Sequence, residues 1–175
     1  MNKKDQRAPG RLLAFCLKVL TVEGDPGAAI YGTLTVGAVL AAESTRDIHL
    51  VSALFGTVVA VALYWLAHGY SAGMSRRLSN KTPLTWSGFR SDLRREWGIV
   101  EGAMVPLVPA FIAAGLGARP ATVYALGLWI VAVSLIAYEL LAGLAIGLRR
   151  LALLGQTAIG ALLAIGIMAL KVLLG

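Results

Sequence analysis

Val51 to Ser79, VSALFGTVVAVALYWLAHGYSAGMSRRLS, is the stretch from which the rest of the chain is read. Its first 25 residues, Val51 to Ser75, contain no Asp, Glu, Lys or Arg, and at about 1.5 Å per residue they can cross a hydrocarbon layer of about 30 Å. The stretch therefore reads as a transmembrane helix. Within it Thr57, Tyr64, His68, Ser71 and Ser75 follow one another at intervals of 7, 4, 3 and 4 residues, which at about 100° per residue keeps them on one face. Lipid cannot satisfy these groups, so the stripe is expected to face other helices or a wet cavity. Arg76 and Arg77 close the span where they can reach anionic head groups.

The composition agrees. Of 175 residues 58% are hydrophobic and 14% charged, and the mean hydropathy is +0.76, far from a soluble domain. The length leaves room for one membrane domain and no sizeable soluble one. A formal charge of +7 could suggest nucleic acid, but in so apolar a chain it reads instead as basic loops set against anionic lipid. Cys16, the single cysteine, excludes an intramolecular disulfide and a multi-cysteine metal site. Lys3, Lys4 and Arg7 precede an apolar run that Lys18 interrupts and that has no small-residue cleavage pattern, so no cleaved signal peptide is expected.

Around the central stretch the other elements follow in order. Residues 1–27 form a polar tail in which Arg11 to Val22, with Arg11 and Lys18 on one face and leucines and Phe15 on the other, is expected to lie on the membrane surface. Spans are expected at about 28–43, 51–75, 98–116, 121–148 and 151–174, giving an all-α integral membrane protein of five spans and two interfacial helices. The connection at 76–97 is rich in arginine, and Trp86, Phe89, Leu93 and Trp97 recur in it at helical spacing. It reads as the second surface-lying helix, with an apolar underside, or as a plain solvated basic loop. In the third span Pro106 and Pro109 each remove a backbone donor, leaving carbonyls near Gly102 and Val105 without their usual partners and favouring a kink or gate. Thirteen of the sixteen Lys and Arg residues fall on the N-terminal side of the membrane. The N-terminus is thus expected in the cytoplasm and the C-terminus opposite, in a cell membrane.

Counting from the middle of each span places His68, Glu101 and Glu139 roughly 7 to 11 Å from the midplane, all on the cytoplasmic side. An unpaired charge in hydrocarbon costs several kcal/mol, so these groups are expected to pair with each other, with water or with a bound ion. Three readings stay open. Two carboxylates and an imidazole suit a divalent Fe, Mn or Zn ion; the same groups suit a proton relay; or Glu101 snorkels to the interface and Glu139 makes one structural hydrogen bond to His68 or Tyr138. Ser71 and Tyr64 join the candidate site as polar neighbours of His68. The pairs Gly69 and Gly73, Gly143 and Gly147, and Gly160 and Ala164 are each four apart, which suits close helix approach within the chain or in a homodimer. No phosphate loop, nucleophile elbow or dinucleotide fingerprint is present, so neither an enzyme nor a cofactor is expected.

Ala67 to Ser79, AHGYSAGMSRRLS, resembles the second-helix motif of the vacuolar iron transporter (CCC1-like) family, with Ala67, Gly69, Ser71, Gly73, Leu78 and Ser79 in register. The five spans, the preceding amphipathic segment, the long second connection and the proline-bearing third span are similar as well. The resemblance implies that family's fold and metal transport. The positions that would carry its ligands differ, however: Thr35 and His68 stand at aspartates, Ala72 at a methionine and Arg76 at a glutamate. A transported ion would therefore depend on His68, Glu101 and Glu139. The sequence thus favours a secondary transporter of a divalent metal or other small solute. The competing reading is a non-transporting membrane protein that recruits partners or anionic lipid through Arg90, Arg94 and Arg95.

Overall fold

The computed structural model describes residues 26–43 and 50–174; the surface helix expected at Arg11 to Val22 lies outside them. Six helices make up the described chain: α1 (Pro26–Ala42), α2 (Leu50–Asn80), α3 (Trp86–Arg95), α4 (Gly98–Gly115), α5 (Pro120–Ala145) and α6 (Arg150–Leu174). Among the described residues four helices, α2, α4, α5 and α6, are long and apolar enough to cross a membrane. This is a multi-pass architecture. The remaining apolar helix, α1, has 17 residues and reaches about 25 Å. As helices, α4 and α6 begin and end within a residue of the limits expected for spans, whereas α2 continues to Asn80 rather than ending near Ser75, and α5 stops at Ala145, three residues short of the expected limit.

α1 lies in the middle of the bundle and touches α2, α4, α5 and α6. Its composition explains why a short helix can sit there. Ala28, Ala29, Gly32, Thr33, Val36, Gly37, Leu40 and Ala41 are all buried, and most are small enough to let neighbouring backbones approach. At Gly32 an added Cβ would lie 1.8 Å from the Ile99 carbonyl oxygen, and at Gly102 it would lie 2.0 Å from that of Ala29. The α1–α4 crossing therefore admits glycine alone at these two points. Val36, Leu40, Leu107, Leu128, Val131, Leu135 and Ile167 fill the core between the helices.

The helix ends are set by local chemistry. α4 and α5 each stop at a left-handed glycine, Gly117 (φ 79°) and Gly147 (φ 70°). There Ala118 N–H donates to Ala113 C=O and Leu148 N–H donates to Gly143 C=O, which satisfies carbonyls left over at a helix C-terminus. Gly147, expected from its spacing to serve close helix packing, is instead this terminator. Gly143 does pack, against Leu153 of α6. α2 ends in the same way on Lys81 (φ 52°), with Thr82 N–H donating to Arg77 C=O. At the other end of the bundle the Lys171 ammonium of α6 donates to the Glu43 carbonyl just past α1 and lies 5.5 Å from the centre of the Tyr124 ring.

Candidate functional site

Two polar groupings interrupt the apolar bundle. The first is built on the crossing of α1, α4 and α5. Pro106 has no N–H, so the Gly102 carbonyl one turn earlier loses its intrahelical donor. The Thr33 hydroxyl replaces it at 2.9 Å, while also lying 3.0 Å from its own helix's Ala29 carbonyl. α4 consequently runs through Pro106 and Pro109 as a continuous helix. The Tyr138 hydroxyl is hydrogen-bonded to the Thr33 side chain, and Glu101 is close enough to act on Tyr138 electrostatically. Glu101 stands in the first turn of α4, where the helix dipole favours a carboxylate. One of its oxygens is fully covered by protein.

The second grouping ties α3 to the end of α2. Gly69 and Gly73 leave a notch on α2, and Leu93 and Asp92 of α3 sit in it: an added Cβ would lie 2.8 Å from Leu93 Cδ2 and 2.0 Å from Asp92 Oδ2 respectively. Asp92 accepts from Arg76 Nη2 at 2.9 Å and from Arg77 Nη1 at 2.8 Å. Glu96, one turn later, lies 3.6 Å from His68 Nε2 and 3.9 Å from Arg76 Nη1. The His68 ring lies 5.6 Å from Tyr31 and 5.8 Å from Tyr64, stacked on the latter. Trp65 Nε1 donates at 3.0 Å to the Leu93 carbonyl in the last turn of α3, which has no following helical donor. At the opposite end of α3 the Thr85 hydroxyl caps the first turn by accepting from Gly88 N–H at 3.1 Å.

The expected site residues are therefore dispersed. His68 belongs to the α2–α3 contact, and Glu101 to the α1–α4–α5 crossing. Glu139 faces α6 at Gly160, where an added Cβ would lie 3.1 Å from its Cγ. Among the described residues no three His, Cys, Asp or Glu side chains come together closely enough to hold a metal ion, so His68, Glu101 and Glu139 are not one ligand set in this structure. Equal depth in a membrane does not bring residues on different helices face to face.

The polar stripe of α2 is likewise split. Thr57 is buried and Tyr64 and His68 are partly covered, but Ser71 and Ser75 are exposed, with Ser75 donating to the Ser71 carbonyl at 3.2 Å. The buried face of the lower half is Gly69 and Gly73. On α3, Phe89 and Leu93 of the expected apolar underside are partly covered, Leu93 against Gly69, while Trp86 is 73% exposed, and the residue of α3 that is buried is Asp92. Sequence reasoning singled out neither Asp92 nor Glu96 as His68's neighbourhood. The available signal was their four-residue spacing, matched to two arginines just beyond a Gly-x-x-x-Gly notch.

Comparison of the chain with protein-family models, with curated proteins and with solved structures finds no match.

Proposed function

We propose that this chain is a secondary transporter of a small solute or ion across a cell membrane, with the Glu101, Tyr138 and Thr33 grouping as the place where a proton or cation is bound and released. The observation that carries the reading is the position of Glu101, a carboxylate inside an apolar bundle, immediately before the residue whose carbonyl Pro106 deprives of its helical donor. Ionisable side chains among membrane helices are costly and mark transport pathways more often than they serve packing. Helix backbone freed at membrane depth is a recurrent ingredient of transporter sites. The likeness of Ala67 to Ser79 to the vacuolar iron transporter motif supports the same class. The substituted ligand positions point to protons or a small solute before iron. In this reading α1 is the fifth span, the N-terminus is cytoplasmic, and Glu139 and His68 adjust the helices next to the site.

The test is uptake into proteoliposomes containing the full chain, with a pH-sensitive dye inside and Mn, Fe or Zn divalent ions or organic solutes outside. Flux that follows the imposed pH gradient and is lost in Glu101→Gln, while Glu139→Gln retains part of it, is the expected result. Folded protein that moves neither protons nor any solute above empty liposomes would overturn the transport reading.

A further inference from the structure

α3 holds its two acidic residues inward. Asp92 and Glu96 are engaged by Arg76, Arg77 and His68 of α2, and among the described residues Arg90, Arg94 and Arg95 form no ion pair. The outward face of α3 is consequently cationic without compensation. Ser87, Arg90, Ser91 and Arg94 line one open concavity of about 310 Å³ on that face. Arg90 and Arg94 are one helical turn apart, as are Ser87 and Ser91, so two guanidinium groups and two hydroxyls surround a single hollow. Guanidinium forks and hydroxyl donors are the groups that hold a phosphate diester.

Depth says which phosphate. α3 packs against α2 between Gly69 and Arg77, about 29 to 41 Å along the helix from Leu50. A hydrocarbon core of about 30 Å followed by several ångströms of head groups places that contact in the head-group layer. Exposed Trp86 and Trp97 flank it, as aromatic residues do at membrane interfaces. The geometry points to a binding site for the phosphate of an anionic phospholipid at Ser87, Arg90, Ser91 and Arg94. This site is separate from the proposed transport site and does not depend on it. Neutralising α3's own acids against α2 fixes the helix and at the same time presents its arginines to the lipid.

Native mass spectrometry of the full chain in detergent tests it, with phosphatidylglycerol or phosphatidylcholine added at equal concentration. The intact protein should retain phosphatidylglycerol roughly tenfold or more over phosphatidylcholine, as expected when two arginines meet an anionic head group. Arg90→Gln with Arg94→Gln should abolish that preference without changing the helical content, since neither side chain holds the fold. Arg149→Gln with Arg150→Gln, at the basic turn before α6, should leave it unchanged. Arg90→Lys with Arg94→Lys should fall between. A preference that survives the Arg90 and Arg94 pair of Gln changes, or that the lysine variant keeps in full, overturns the site. Inorganic phosphate displacing the lipid at equal concentration would make it a site for a free anion and overturn the assignment to lipid.

Discussion

Thr33 of α1 supplies the Gly102 carbonyl of α4 with the hydrogen bond, at 2.9 Å, that Pro106 cannot give. The two residues are 69 positions apart, so a local defect in one helix is repaired by a neighbour that arrives from elsewhere in the chain. Replacing Thr33 by Val keeps the shape and removes the donor. A buried carbonyl left without a partner costs about 1–3 kcal/mol. Thr33→Val is expected to destabilise the folded protein by about that much, measured by unfolding in mixed micelles. Pro106→Ala restores the backbone donor, so the cost of Thr33→Val should shrink in that background. An equal cost in both backgrounds would show that the bond to Gly102 is not what Thr33 contributes.

Gly102→Ala and Gly32→Ala each place a methyl group where only a backbone now fits, about 2 Å from a carbonyl oxygen. The α1–α4 crossing must open, and the expected loss is about 3 kcal/mol or more. Gly56 and Gly166 have open space around the same position. Alanine there should be neutral or should stabilise its helix by up to about 1 kcal/mol. Thermal unfolding of the four variants in one detergent checks the contrast, and similar values for all four would refute the close crossing.

Asp92→Asn removes the negative charge between Arg76 and Arg77 and leaves the two guanidinium groups to repel each other. Their side chains are partly exposed, so solvent limits the global effect. The local effect should be larger. Hydrogen exchange of the α3 amides is expected to rise by about tenfold while α5 and α6 stay protected. Unchanged exchange across 86–95 would mean that the Trp65 and Leu93 contacts hold α3 without the ion pairs.

Much of the fold is legible in the residues because membrane helices announce themselves by length and apolarity. The limits of α4 and α6, the helix at Trp86, and the orphaned carbonyl near Gly102 follow from charge-free stretches, helical spacing and the missing proline N–H. The repair by Thr33 does not follow, since nothing within α1 says which way its hydroxyl points. His68 shows the same limit more sharply. Counting residues gives its depth but not the direction of its ring, and its neighbour is Glu96, 3.6 Å away on a short surface helix, rather than Glu101 or Glu139 at similar depth. Asp92 was not singled out because a charged residue on a short helix as rich in charge as α3 reads as solvent-facing, whereas two α2 arginines draw the acid inward.

The bond from Lys171 to the Glu43 carbonyl joins residues 128 apart, and it has a meaning for how the protein is made. Of the described helices α1 is made first, short and lined with small residues, before any of α4, α5 or α6 exists. At about 5–20 residues per second, the lysine that secures its far end follows roughly 6 to 26 seconds later. Through that interval α1, only 17 residues long, lacks most of the neighbours that bury it in the finished bundle. The helix at the centre of the finished bundle thus gains its last neighbour only when α6 arrives, long after it was itself made.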